Sequence, residues 1–219
     1  MNDRNLNILK KAVVWKELYF YRKSDVIYQL TVEFCHRFMP LYGDRTVDQM
    51  TQAARSGKQN IIEGCEDGKT SSESELKLLN VARGSLHELK ADYIDYLNTH
   101  HLSVWTEENA RFLHLQKFCR THNDYPDYAP LAKKLTDEEF ANLMITLLHQ
   151  TDKMMCSYIH KLEQRFVTEG GIKERMYAAR TGYRQEQDAL INNLKAENRA
   201  LKAENAELRR IIEDLRNPK

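Results

Sequence analysis

The sequence is poor in the residues that interrupt helices, with 8 glycines and 4 prolines in 219 residues. Long runs of β-branched residues are also absent, whereas charged residues make up 30% of the chain. This composition favours helices over a turn-rich β protein. No run of about 18 uncharged apolar residues occurs, as a membrane span would require, and the N-terminal segment lacks the apolar block of a signal peptide. We therefore predict an all-α, cytoplasmic protein that does not enter membranes.

Cysteines are few and widely spaced along the chain. The four residues Cys35, Cys65, Cys119 and Cys156 form no CxxC pair. The spacing therefore predicts neither a disulfide framework nor a structural zinc site. Free thiols in a reducing compartment are the simplest interpretation of this pattern.

Motifs of the common enzyme classes are missing as well. The sequence has no phosphate-binding GxxxxGK[ST], no dinucleotide-binding GxGxxG and no GxSxG elbow. Eight histidines are present, but none belongs to an HExxH motif. A di-iron bundle would need two Glu-x-x-His motifs, and only Glu33–His36 fits. These absences predict a non-enzymatic protein that uses no cofactor and no metal.

Charge is distributed unevenly although the net charge of the whole chain is +1. Residues 1–40 contain 7 Lys/Arg and 4 Asp/Glu, and residues 172–219 contain 11 and 8. Residues 41–171 contain 15 Lys/Arg and 20 Asp/Glu, a balance of −5. The middle of the chain is therefore not expected to form a broad phosphate-binding surface. Any basic face must be built locally or by the two ends.

Apolar residues recur at helical spacing in the middle of the chain, and local signals mark where helices begin and end. Pro40 and Gly64 are expected to stop helices, and Thr136 with Glu139 forms a capping box. Two polar segments, 65–70 and 123–130, are expected to be loops. We predict helices over about 24–39, 44–63, 71–96, 106–121 and 136–166. We therefore predict that residues 24–171 form an up-down four-helix bundle and that residues 1–23 form an N-terminal extension to it.

The last segment, 172–219, has a different period. Leucines recur every seven residues, and the positions three residues before them hold isoleucine in the first and last heptads and asparagine in the two between. This pattern predicts a parallel coiled coil, most simply a dimer, in which Asn at the a position fixes the register. A lone solvated helix would leave the apolar seam without a partner. The predicted interface residues are Ile191, Leu194, Asn198, Leu201, Asn205, Leu208, Ile212 and Leu215.

Charged residues flank this seam in complementary positions. In a parallel pair, Glu197 faces Lys202 of the partner helix and Glu204 faces Arg209. A basic DNA-reading region should precede a zipper of the DNA-binding type. Here the arginines before the heptads are sparse and Gly182 interrupts them. The segment is therefore predicted to serve assembly and not base recognition.

Two stretches in the middle of the chain resemble a known family. They are DRTVDQMTQAARSGKQNIIEG and SESELKLLNVARGSLHELKADYIDYL, which are separated by a short polar loop. They resemble the four-helix-bundle proteins encoded in ribosomal-RNA intervening sequences and the accessory variability determinant of diversity-generating retroelements. The preceding IYQLTVEFCHRF, together with Trp105, resembles the branch called the four-helix-bundle suffix domain. The resemblance covers residues 24–105 well and the later helices weakly.

The resemblance implies a non-enzymatic bundle that forms ring-shaped homo-oligomers, and, in the retroelement relative, a protein that binds nucleic acid and a reverse transcriptase. Arg55 and Lys58 are the candidate nucleic-acid contacts, because residues three apart share a helix face. The structural alternative is that Arg55 pairs with Glu63 or Glu75. Two functions follow. The first is an oligomeric scaffold or adaptor that binds itself through the bundle, the coiled coil or both, or binds a partner through the coiled coil. The second is a nucleic-acid-binding accessory protein that acts with an RNA- or DNA-processing partner such as a reverse transcriptase.

Overall fold

The computed structural model describes residues 13–40 and 45–216, except for the side chains of Asp214 and Leu215. Within these residues there is no strand, so the all-α prediction is confirmed. A 3-10 turn (Trp15–Glu17) precedes the helices. The helices are α1 (Tyr19–Phe38), α2 (Arg45–Asp67), α3 (Ser72–Thr99), α4 (Ala110–Thr121), α5 (Tyr125–Ala132), α6 (Asp137–Glu169) and α7 (Ile172–Arg216).

The described residues divide into two compact units. The first, which we call the core unit, ends at Ile172, and the second begins at Lys173 within α7. In the core unit α1, α2, α3 and α6 pack in a closed order, each against two of the others. The short helices lie outside this set, with α4 against α6 and α5 against α1. No described helix has the length and apolarity needed to cross a membrane.

An aromatic cluster occupies the centre of the core unit. The ring of Phe34 on α1 lies 5.0 Å from that of Tyr93, 4.9 Å from that of Tyr96 and 5.5 Å from that of Phe140. The hydroxyl of Tyr93 is fully buried and donates to Thr31 Oγ1 at 3.1 Å. The cluster therefore joins three of the long helices and satisfies its buried polar atom internally.

Helices α2 and α3 approach each other closely through small residues, as the sequence predicts. Gly57 is buried, and a Cβ atom at this position would lie 2.6 Å from Leu86 Cδ2. Ala54, one turn earlier, is fully buried as well. Since no real Cβ could occupy this space without moving Leu86, glycine is required here for packing.

Several predicted helix boundaries are wrong, because packing between helices overrides local signals. Helix α1 begins at Tyr19, not at Ser24, whose buried hydroxyl donates to the carbonyl of Tyr21 at 2.7 Å within the helix. Helix α2 continues through Gly64 to Asp67, since Gly64 is buried against α3, where an added Cβ would lie 3.3 Å from Leu78 Cβ.

The segment predicted as a loop over 123–130 contains most of α5. Proline is tolerated in the first turn of a helix because its missing N–H would have no helical acceptor there, and Pro126 occupies that turn. Helix α4 begins at Ala110 behind an Asn109 cap, four residues later than the predicted start at Thr106. Asp44, the predicted cap of α2, lies outside the described residues.

Side-chain caps begin helices α3 and α6, and the one predicted from sequence, the capping box of Thr136 and Glu139, is confirmed. Ser71 Oγ accepts from the backbone N–H of Ser74 at 3.1 Å. At the start of α6, Thr136 Oγ1 accepts from Glu139 N, and Glu139 Oε2 accepts from Thr136 N at 3.1 Å. Gly170 ends α6 with a φ of 70°, a conformation that glycine adopts without strain.

Candidate functional site

The candidate functional surface is the second half of α7. Every described side chain from Tyr183 to the end of the helix is exposed. A helix that is polar all round needs no partner, but this one carries large apolar side chains among its charged ones. Among them, Leu194 is 52% exposed, Leu201 50% and Leu208 49%.

These leucines form one continuous seam. Seven residues are close to two helical turns, so residues seven apart lie on the same face. Ile191 and Ile212, at the a positions, are also exposed, and residues three apart on a helix are neighbours on its surface. The seam therefore extends over residues 191–212, and the side chain of Leu215 lies outside the described set.

The two asparagines of the seam interrupt it with polar groups. The side-chain amide of Asn205 donates to the carbonyl of Leu201 at 2.9 Å within its own helix. The asparagine side chain has an acceptor oxygen in addition to its two N–H donors. That oxygen can accept a hydrogen bond from an amide across an interface.

The second predicted site, Arg55 and Lys58, is divided between two environments. Arg55 is exposed on α2. Lys58 instead turns toward α1, where its Nζ lies 3.2 Å from Asp25 Oδ1 and 4.3 Å from the centroid of the Tyr28 ring. Its side chain is 19% exposed. The structure therefore places Lys58 in a helix–helix contact and leaves Arg55 at the surface.

One of the two carboxylates expected to pair with Arg55 contacts helix α6. Glu75 is buried and accepts a hydrogen bond from Tyr158 Oη at 3.2 Å. Arg83 donates to Asp152 Oδ1 on α6 at 2.8 Å, and His87 Nε2 lies 3.0 Å from the same oxygen. Burial raises the pKa of Asp152, but the hydrogen bond and charge of Arg83, aided by His87, lower it below its usual value overall.

Two cysteines of the core unit, Cys65 and Cys119, are poor nucleophiles. Burial, with smaller contributions from Glu75 and Glu66, raises the pKa of the Cys65 thiol to about 12. Burial likewise raises the pKa of Cys119 to about 11. Both thiols are therefore protonated at neutral pH, and the thiolate is the reactive form. Among the described residues, no group of three or more His, Cys, Asp and Glu is placed to hold a metal ion.

Sequence reasoning missed a buried cation in the core unit. Lys23 is 2% exposed, and its ammonium donates to the carbonyl oxygens of Cys119 and His122 at the end of α4. These partners are more than ninety residues away along the chain. The periodicity of α1 marks Lys23 only as a charged residue beside an apolar face, so no local signal could have placed it there.

Comparisons of the chain with models of protein families, with curated proteins and with solved structures found no match.

Proposed function

We propose that this chain is a non-enzymatic, homo-oligomeric helical scaffold. In this proposal the core unit is an up-down four-helix bundle, and α7 joins copies of it as a parallel coiled coil. The observation that supports the proposal most directly is the seam of half-exposed leucines and isoleucines on α7. A second copy of the chain supplies an identical seam, and therefore fits it without any further partner.

The energetics favour pairing. Fully burying a leucine or isoleucine side chain stabilises a structure by about 1.5–3 kcal/mol. Because the seam residues are already about half covered by their own helix, each would contribute roughly half of that on association. Association itself costs several kcal/mol in lost freedom of motion. With so short a seam, we expect a modest affinity that depends on protein concentration.

Charge and polarity support a parallel, in-register pair. Glu197 and Glu204 occupy g positions, and Lys202 and Arg209 occupy the e positions that follow them. In a parallel pair each glutamate faces a cation of the other helix. Asn198 meets its own copy only in register, which penalises shifted and antiparallel arrangements.

The resemblance of residues 24–105 to bundle proteins that form rings supports a second assembly surface on the core unit. The nucleic-acid function suggested by the same resemblance receives less support, because Lys58 is held by Asp25 and only Arg55 of the predicted pair is exposed. The scaffold function is therefore our first choice.

The proposal is tested by light-scattering mass of the full chain over a range of concentrations, with two arginine substitutions. Leu201→Arg places a charge in the seam, whereas Ala203→Arg places the same charge at the f position on the opposite side. We expect the first to lower the mass by at least half of the assembled value at micromolar protein, and the second to leave it unchanged. A mass that Leu201→Arg does not reduce would rule out assembly through α7.

The orientation of the helices has its own test. A Leu208→Cys variant brings two thiols together only if the helices are parallel and in register, since equivalent d positions then face each other. We expect mild oxidation to link the subunits covalently. A matching Ala203→Cys variant should stay unlinked under the same conditions, and equal linking of both variants would contradict a parallel pair.

A further inference from the structure

A cleft of about 450 Å³ opens in the core unit where α1, α4 and α6 meet. This volume lies within the range of small-molecule sites, about 300–1,000 Å³. The part of its lining that bears on ligand chemistry comes from all three helices. It consists of Tyr19, Lys23, Arg120, His149, Lys153 and Met154.

The charge of the lining is of one sign. Two lysines, an arginine and a histidine face the cleft, and no Asp or Glu is among the described residues that line it. This is a marked departure from its surroundings, because residues 41–171 contain more acidic than basic side chains. Like charges gathered in a concave, poorly solvated surface focus the field and concentrate ions of the opposite sign.

Carboxylates near the cleft have cationic partners of their own. Asp124 directly follows a residue of the cleft wall in the chain. Arg22 donates to both of its carboxylate oxygens. Asp152 on α6 binds Arg83 and His87. Each of these carboxylates therefore already has a cationic partner outside the set of lining residues.

Lys23 adds a donor that the fold has fixed in place. An ammonium group has three N–H donors, and the described contacts of Lys23 use two of them, on the carbonyls of Cys119 and His122. The side chain is 98% buried yet contributes to the cleft wall. The third N–H has no partner among the described contacts, and a ligand that accepts from it would meet a group that loses little freedom on binding.

His149 reports the same local field. Burial lowers the pKa of His149, and the neighbouring Lys153 and Lys90 lower it further. The imidazole is therefore neutral at pH 7 and can offer a hydrogen bond without adding charge. The Tyr19 ring, which is 58% exposed, and the Met154 thioether give the lining an apolar part, beside uncharged polar side chains such as Gln116 and Gln150.

We propose that this cleft binds a small organic phosphate. The phosphate oxygens accept hydrogen bonds from Arg120, Lys153 and Lys23, which reach the site from three helices. A tetrahedral anion with three terminal oxygens can use donors from several directions at once. The organic part lies against the Tyr19 ring and Met154. No carboxylate in the lining competes for the cations, and none is there to hold a divalent metal.

The test is calorimetric titration of the full chain with phenyl phosphate, inorganic phosphate and phenol. We expect phenyl phosphate to bind most tightly, inorganic phosphate more weakly and phenol not at all. Lys153→Gln and Arg120→Gln should each lower the affinity for phenyl phosphate about tenfold, which is the effect of losing one charge-assisted hydrogen bond. Lys161→Gln is the matched control, because Lys161 is exposed on the same helix α6 and does not line the cleft. The affinity of the Lys161→Gln variant for phenyl phosphate should differ from that of the unchanged chain by less than twofold.

Three results would overturn the proposal. The first is no binding of phenyl phosphate at about 10 mM, beyond the weakest useful affinity. The second is equal weakening by Lys161→Gln and Lys153→Gln, which would indicate a general charge effect. The third is binding of a single-stranded oligonucleotide, but not of phenyl phosphate, that Lys153→Gln abolishes. The titration repeated with Leu201→Arg should give the same affinity, so this inference and the scaffold proposal can fail separately.

Discussion

Helices α3 and α7 are both rich in leucine, yet their leucines have opposite environments. In α3, Leu79 and Leu89 are fully buried against neighbouring helices of the same chain. In α7, Leu194 and Leu201 are about half exposed. The apolar positions of α3 serve a core that the chain completes by itself, whereas those of α7 follow a strict seven-residue repeat. The comparison teaches that period, more than apolar content, indicates which seam needs a second chain.

The largest contrast is expected from deleting one apolar side chain in each region. Phe34→Ala removes the ring that contacts Tyr93, Tyr96 and Phe140, and should lower the free energy of unfolding of the core unit by about 4 kcal/mol. Leu201→Ala should change that free energy by less than about 0.5 kcal/mol, since it touches no core residue.

Denaturant unfolding followed by tryptophan fluorescence measures this contrast cleanly. Both tryptophans of the chain, Trp15 and Trp105, belong to the core unit. The fluorescence therefore reports on that unit and not on α7. A large shift of the midpoint with Leu201→Ala would show that the two regions share one unfolding transition.

Two glycines sharpen the comparison at a smaller scale. Gly57→Ala would push a Cβ into Leu86, and the gain in helix propensity offsets only part of that clash, so we expect a loss of about 1–2 kcal/mol. At Gly182 in α7 nothing lies within 4 Å of an added Cβ. There Gly182→Ala should only favour the helix, by about 1 kcal/mol.

The midpoint of fluorescence-detected unfolding measures the effect of Gly57→Ala. The helicity from circular dichroism measures the effect of Gly182→Ala. Gly84→Ala in α3 is the control for the method, because its added Cβ also meets nothing within 4 Å. It should stabilise the core unit slightly. If Gly84→Ala destabilised the core unit as much as Gly57→Ala, the contact with Leu86 would not be what distinguishes the two positions.

The effect that depends on pH concerns charge. Asp152 already has cationic partners within the core unit, whereas the e and g charges of α7 are proposed to find theirs in a second chain. Since the pKa of Asp152 in the folded state lies below its usual value, its ionised form stabilises the fold above about pH 4. This contribution is lost as the pH falls through the folded pKa.

Asp152→Asn should therefore cost about 1–2 kcal/mol at pH 7 and progressively less below pH 4. Fluorescence-detected unfolding at several pH values measures the difference between the two proteins. Asp95→Asn, at a carboxylate exposed on α3, is the control. A difference that stays constant down to about pH 2 would contradict the role of the ionised carboxylate.

Features that depend on a few neighbouring residues could be predicted from the sequence. The capping box of Thr136 and Glu139 is one, and the all-α class is another. The continuation of α2 through Gly64 could not be predicted, because it depends on Leu78 of another helix. The cleft could not be predicted either, because Lys23, Arg120 and Lys153 come together only when α1, α4 and α6 pack. The heptads of α7 are visible in sequence because the seven-residue repeat lies within one continuous helix.

The length of α7 determines how much helix precedes the apolar heptads. Its 45 residues extend about 68 Å at 1.5 Å per residue, and the apolar heptads begin only at Ile191. The stretch from Ile172 to Leu190 therefore adds roughly 28 Å of helix that has no seam. In a pair joined along the seam, these two unpaired arms would act as a spacer. Insertions or deletions there would alter the reach between copies without altering the strength of their association.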